Sequence, residues 1–369
     1  MEAFILAGGR GTRLLPLTLK RPKPLIPFLN KPILDYIIES LVSINASKIT
    51  ILLDYLGDKI IQRYGNGSDF GIEIEYTFGN GPRGTAGAVA YAARNMSEPF
   101  LVLSADVLTN IDLKSFWEFH NRKKGMLTIA LSQVEDPWHY GIAILNEDKS
   151  VLRFVEKPPP EKVFSNLVNA GIYVMTPESL KYIPSDIEYD ISKGLLPALL
   201  AKGEKIFGYA FSEYWNDVGR PSSYLAATQD ALLGRLKIRG LPYSEFEESE
   251  RILSNMKELR GRLLVTGERC KIAGSAKING FAVLGDDVEI GKNAEISGCV
   301  IWSGSKVDKN AIIRQCVVGE DVQICSGARC DAGSVIGDMS IIGERAHVGQ
   351  DIKLWVGSRL GAGTAMDGI

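Results

Sequence analysis

From Val318 to Ala365 the chain repeats every six residues: VGEDVQ, ICSGAR, CDAGSV, IGDMSI, IGERAH, VGQDIK, LWVGSR and LGAGTA. The first place of each hexad is aliphatic, once Cys330, and glycine often follows it. Such a repeat stacks short parallel strands into a left-handed β-helix, with three hexads to a coil. First-place side chains point inward, and glycines and small residues turn the corners. The same register runs upstream from Ile272 (IAGSAK, INGFAV, LGDDVE, IGKNAE), with two five-residue steps, just before Ile301 and just before Val318. About sixteen hexads make about five coils.

The first 234 residues follow a different pattern. "EAFILAGG", "KITILLDY", "IEIEYTF" and "FLVLSAD" are apolar runs of strand length. Between them, "KPILDYIIESLVSI", "TAGAVAYAARNM" and "DLKSFWEFHNRKKG" carry helical spacing. Strand and helix alternating in this way predict a Rossmann-like, mostly parallel α/β sheet covered on both faces. "YGIAILNEDKSVLRFVEKP" reads as a hairpin turning at Asn146–Lys149. "NAGIYVMTP" and "KIFGYAFSEYWNDVG" add strands, and "RPSSYLAATQDALLG" closes the unit with a helix. The expected organisation is an α/β domain over 1–234, a charged, partly helical linker over 235–260 and the β-helix over 261–369.

Composition narrows the function classes. Charged residues make up 23% of the 369 and the net charge is −2, which argues against disorder and against a nucleic-acid or membrane-surface binder. No apolar run approaches the roughly 20 residues of a membrane span, and no signal peptide is evident. Cys270, Cys299, Cys316, Cys325 and Cys330 form no C-x-x-C pair. They read as core-filling thiols of a cytoplasmic protein, and no zinc site is expected.

Against that mild overall charge, Ala3–Leu34 contains no Asp or Glu but six cations, Arg10, Arg13, Lys20, Arg21, Lys23 and Lys31. The stretch also carries Gly8, Gly9 and Gly11 directly after a strand. Glycines let backbone N–H groups approach phosphate oxygens, and Arg forks match phosphate geometry. The spacing fits neither the Walker A nor the G-x-G-x-x-G fingerprint. Lys23 lies between Pro22 and Pro24, whose fixed φ stiffens its presentation. Lys20, Arg21 and Lys31 read as solvated loop charges.

"LAGGRGTRLLPLT…RPKPLIP" resembles the signature of the sugar-1-phosphate nucleotidylyltransferases. These enzymes join a nucleoside monophosphate from a nucleoside triphosphate to a sugar-1-phosphate and release pyrophosphate. "GTAGA" at 84–88, "LSAD" at 103–106, "YG" at 140–141, "VEKP" at 155–158, "NAGIYV" at 169–174 and "WNDVG" at 215–219 continue the likeness in order and spacing. The resemblance implies that Gly8, Gly9, Gly11 and Thr12 hold the triphosphate and that Arg13 and Lys23 neutralise charge at the α-phosphate. It places Leu6, Gly84, Thr85 and Ala86 against the base and ribose. It gives Mg2+ to Asp106 and Asp217, the sugar phosphate to Lys157, and the sugar to Gly141, Glu156 and Asn169. Both aspartates follow strand-like runs, where open α/β sheets bind ligands. Glu156 and Lys157 can share one ligand only if their strand has already ended. His120 reads as an exposed helix residue.

"GTAGA", "FSNLVNAGIYV" and "PKPLIPFLNKPIL" are most similar to mannose-1-phosphate guanylyltransferases, which implies GTP and mannose-1-phosphate as substrates. Ala105 and Arg83 depart from that pattern; Arg83 suits a guanine O6/N7 edge and an exposed position equally. Thymidylyl or uridylyl transfer to glucose-1-phosphate is the alternative within the family. A non-catalytic regulatory subunit, or an acyltransferase using His347 of the β-helix, are alternatives outside it. Open coil ends expose unpaired backbone, so a homo-oligomer is expected. Deleting the chain after Met256 is expected to leave measurable chemistry.

Overall fold

The computed structural model describes residues 1–78, 84–185, 187–238 and 263–367, together with the backbone path of 256–258. Arg83 and most of the linker expected over 235–260 lie outside the described residues. Two compact units emerge: Met1–Gly9 with Leu34–Asp217, and Arg10–Ile33 with Val218–Ile369. The basic, proline-rich segment is thus grouped with the hexapeptide repeat, although the chain delivers it from the first strand.

The first unit is built on a nine-stranded sheet. Glu2–Leu6 lies between Lys48–Leu53 and Phe100–Ser104, parallel to both, and Glu73–Phe78 extends the parallel half. Leu167–Met175 then pairs antiparallel with Phe100–Ser104 and with Leu127–Gln133. The expected hairpin forms as Gly141–Leu145 and Val151–Glu156. Its strands need no crossover helix, which is why this end of the sheet runs antiparallel. Ile5, Ile51, Val102 and Val174 are fully buried, as near-continuous apolar strands covered on both faces must be.

In the second unit the hexads form a left-handed parallel β-helix. Strand pairing follows Ile272↔Ile290↔Val307↔Ile324↔Ile342↔Leu360. The second and third of those steps span 17 residues and the others 18, because the five-residue steps each shorten one coil. The inward column is sealed: Val307, Ile324 and Ile342 are 2% exposed or less. Cys299, Cys316 and Cys330 are buried in the same core as free thiols. Asp287, Asn293, Asn310 and Asp321 turn corners with φ between 53° and 59°. Asn and Asp tolerate this left-handed conformation better than other side chains. The antiparallel strand Met256–Glu258 covers one end by pairing with Leu263–Thr266. No described helix is long and apolar enough to cross a membrane.

One expectation fails. His120 is 2% exposed, on the face of helix Leu113–Lys123 that also buries Leu113 and Phe116. Its Nδ1 lies 2.8 Å from Thr128 Oγ1. Burial lowers the imidazole's pKa from its usual 6.5 to about 4. The folded chain therefore keeps His120 neutral where the unfolded chain protonates it, and stability is lost as pH falls from 6.5 toward 4. Denaturant titrations at pH 7 and 4.5 should show a loss on the order of 2 kcal/mol from this group, absent in His120→Gln. Equal pH dependence in both chains would refute the assignment.

Candidate active site

In the first unit the site residues gather at the carboxyl edge of the parallel strands. Leu6 pairs with Leu52 and Ser104, so three chain segments leave the sheet side by side. Ala7 N–H donates to Leu52 O at 2.9 Å and Ala105 N–H to Leu6 O at 3.0 Å, carrying the order past the strand ends. A side chain at Gly8 would come within 3.1 Å of Asp54 Cβ, whereas Gly9 faces open space. Asp54 is thus an acidic neighbour of the glycine turn that sequence reasoning missed. Its signal was available, because it ends a strand just as Asp106 does.

Asp106 and Asp217 lie at matching ends of a small ribbon. Leu108–Thr109 pairs antiparallel with Trp215–Asn216, with Asn216 opposite Leu108. Extending that register sets Asp217 opposite Val107, one residue from Asp106. Tyr140 donates from its hydroxyl to Asp217 Oδ1 at 3.2 Å and packs edge-on against Trp215 at 5.2 Å. Trp215 in turn donates from Nε1 to Ala170 O at 3.0 Å. Both aromatics therefore serve the Asp217 strand end. Among the described residues no group of three or more His, Cys, Asp or Glu could hold a metal ion. A cation here would take two carboxylates and draw its remaining ligands from phosphate and water, the habit of Mg2+.

Glu156 ends its strand, and Lys157 follows with φ 46°. The strand therefore stops where a shared ligand requires it to, and the two charges lie side by side, 3.8 Å apart. Gly141 is the register partner of Glu156. A Cβ there would run into the Phe154 ring and lie 2.6 Å from Glu156 Oε2. Burial raises the Glu156 pKa; Lys157, Ser192 and Lys193 oppose that shift. Asn169 accepts from Gly171 N–H at 2.9 Å and donates to Tyr173 Oη at 2.7 Å. These bonds fix the irregularity between Asn169 and Tyr173, leaving one amide hydrogen of Asn169 for a ligand.

The "GTAGA" segment opens the helix Gly84–Ala92 against a partner that sequence reasoning missed. Ala86 and Gly87 N–H donate to Tyr189 O, and Thr85 donates from N–H and Oγ1 to Asp190 Oδ1 at 3.1 Å. Thr85 Oγ1 accepts from Ile191 N–H in return. Gly84 has φ 58° and sits where a Cβ would strike the Tyr189 backbone. Asp190 precedes the helical turn Ile191–Leu195, yet its side chain bonds Thr85 and makes no capping bond to that turn.

The second unit holds the rest. Gly11, at φ 61°, starts the short turn Thr12–Leu14. Its carbonyl accepts from Thr18 Oγ1 and Leu14 N–H, both at 2.9 Å. A Cβ on it would lie 2.9 Å from the Thr18 methyl and 3.2 Å from Lys23 Cβ. Thr12 and Arg13 are exposed; Lys23 opens a second turn and is only 6% exposed. Arg13 lines a cavity of about 820 Å3 with Arg220 and Lys353, and its carbonyl accepts from Lys353 Nζ at 3.3 Å. His347 is held at Nε2 by Asp331, 2.7 Å away, with Asp367 3.6 Å from Nδ1.

The chain matches the family model "Nucleotidyl transferase" over residues 2–233 and "EIF2B subunit epsilon LbH domain" over 244–354. It is 31% identical to the mannose-1-phosphate guanylyltransferase of Mycobacterium tuberculosis, over 85% of this chain and 83% of that protein. It is 32% identical to the mannose-1-phosphate guanyltransferase of Hypocrea jecorina, over 94% of each. A solved structure, the putative glucose-1-phosphate thymidylyltransferase of Bacillus anthracis, superposes with a TM-score of 0.58 at 25% identity, over 65% of this chain and 98% of that one. HddC from Yersinia pseudotuberculosis, solved with GMP-PN, gives 0.54 at 27% identity, over 62% of this chain and 98% of that one. With the strand-end carboxylates, the glycine turn and the hexapeptide coils, these matches make the chain a member of the nucleotidyl transferase family that carries a C-terminal left-handed β-helix.

Proposed function

We propose that the protein transfers GMP from GTP to mannose-1-phosphate, giving GDP-mannose and pyrophosphate. The observation that carries the reading is the ribbon Leu108–Thr109 with Trp215–Asn216, which sets two carboxylates at neighbouring strand ends. The guanylyl and mannosyl specificity is supported by the names of the relatives that align over nearly the whole chain.

A sugar-1-phosphate is largely a dianion at neutral pH, its second pKa lying near about 6, so its oxygen needs no general base. It attacks the α-phosphorus as the bond to the bridging oxygen breaks, and pyrophosphate leaves with that electron pair. What the protein must supply is alignment and charge neutralisation. Arg13 and Lys23 neutralise the α-phosphate, and Gly8, Gly9, Gly11 and Thr12 offer backbone and hydroxyl donors to the triphosphate. Leu6, Gly84, Thr85 and Ala86 face the nucleoside, Lys157 meets the sugar phosphate, and Gly141, Glu156 and Asn169 meet the sugar. Asp106 and Asp217 would hold Mg2+, which when bound offsets charge on the phosphate oxygens.

The domain limits 1–234, 235–260 and 261–369 belong to the same proposal, as does a homo-oligomer in the cytoplasm. Free thiols at all five cysteines support a reducing compartment. The last coil supports assembly: Lys353–Leu354, Arg359–Leu360 and Ala365–Met366 each pair with a preceding strand only, among the described residues. Sedimentation should give a species larger than 40.4 kDa; a monomer at micromolar concentration would remove the oligomer.

Pyrophosphate release with Mg2+ across GTP, dTTP, UTP, ATP and CTP, each with mannose- or glucose-1-phosphate, tests the reaction. GTP with mannose-1-phosphate should exceed every other pair; faster release with a pyrimidine nucleotide would overturn the specificity. Asp106→Asn and Asp217→Asn should each lower kcat at least about 100-fold with the fold intact. Near-normal turnover in either would remove that residue from the metal site. Gly141→Ala forces Glu156 aside and should raise KM for the sugar phosphate about tenfold while leaving KM for nucleotide within about twofold. The reverse order would take Gly141 and Glu156 out of the sugar site.

A further inference from the structure

The sequence suggests that Arg21 is a solvated charge; in the structure its side chain is 13% exposed. Nη1 donates to Glu320 Oε1 at 2.5 Å and Nη2 to Asp338 Oδ2 at 2.9 Å. The guanidinium lies 4.5 Å from the centre of the buried Trp302 ring. Its Nε–H is buried without a hydrogen-bond partner. All three partners belong to the β-helix, and Pro22-Lys23-Pro24 follows Arg21 directly. We infer that Arg21 is a positioning residue for nucleotidyl transfer: clamped by Glu320, Asp338 and Trp302, it makes the β-helix a working part of the nucleotide site.

The chain of contacts is short. Pro22 has φ −68° and leads into the turn Lys23–Leu25, so the orientation of Arg21 is passed on through a stiff link to Lys23. Lys23 Cβ stands beside Gly11, where an added Cβ would lie 3.2 Å from it, and Thr18 holds the Gly11 carbonyl. Beyond Lys23 a second anchor closes the segment. Tyr224 donates from its hydroxyl to Pro27 O and accepts from Trp302 Nε1 at 3.3 Å. Asn30 Nδ2 donates to Leu284 O at 2.7 Å. Lys23 is therefore fixed on both sides by the same coils.

The Asp338 contacts separate this role from ordinary coil architecture. Its Oδ1 accepts from Glu320 N–H at 2.9 Å, a corner bond that Asp286 Oδ1 repeats with Glu268 N–H at 2.8 Å. Only the Oδ2 bond to Arg21 is particular to the clamp. Asp338→Asn can thus keep the corner and, by turning an amide toward the guanidinium, release Arg21.

The inference rests on the reading of Gly11 and Lys23 as nucleotide-site residues, so its test has one readout that needs no substrate. Full-length Arg21→Lys and Asp338→Asn should lower kcat about tenfold or more, with KM for the sugar phosphate within about twofold. Amide exchange at Leu25 and Ile26, whose N–H groups bond Pro22 O and Lys23 O, should quicken about tenfold while Ile324 and Ile342 stay protected. Unchanged kcat in both clamp variants, unchanged exchange at 25–26, or a rise spread across the whole β-helix core would each overturn the inference. Quickened exchange in a chain whose wild type releases no pyrophosphate would support the clamp while sinking the proposed reaction.

Discussion

A buried guanidinium with two carboxylates and an indole around it is the contact on which the basic segment depends. Taking a cation out of water costs several kcal/mol, recovered only when its geometry is nearly complete. Arginine can meet that condition and lysine cannot, because its planar fork reaches Glu320 and Asp338 together while its face lies on Trp302. The unpaired Nε is the concession that the arrangement makes. Held this way, a segment rich in glycine and proline gains a support beyond its own buried side chains, Leu14, Leu17, Ile26 and Phe28. Ordering a free residue costs about 1–2 kcal/mol, and the clamp offsets part of that cost.

The β-helix is suited to be that support. Every strand of its middle coils pairs on both sides, and each inward place is filled, so it has few ways to deform locally. The 17-residue steps from Leu284 to Ile301 and from Ile301 to Val318 show how strictly the stack is kept. One residue is lost from a corner while the aliphatic column stays in line. Phosphoryl transfer asks for the same property, since its catalysis is mostly placement and a shift of about 1 Å is costly.

The legible and illegible parts of the sequence divide along that line. The hexads could be read because their period is the structure. The turn at Gly11, the strand-end aspartates and the halt at Glu156 were legible because each depends on neighbours within a few residues. Arg21 was not, since Glu320 and Asp338 lie 299 and 317 positions away and nothing local marks it among six cations. The Thr85–Asp190 cap, 105 positions apart, is hidden for the same reason. His120 is a different failure: Leu113, Phe116 and His120 share one helix face by spacing alone, so its burial was there to be read.

The proposed clamp bears on the expectation that chemistry survives loss of the β-helix. Removing the coils takes away Glu320, Asp338, Trp302 and Leu284 at once, and with them the supports of Arg21, Tyr224 and Asn30. Solved relatives are matched over 98% of their own chains by 62–65% of this one, so about a third of this chain has no counterpart in them. Within this chain the clamp ties the basic segment to the repeat. Loss of the repeat would leave the Arg21 guanidinium without its two carboxylates and its aromatic face.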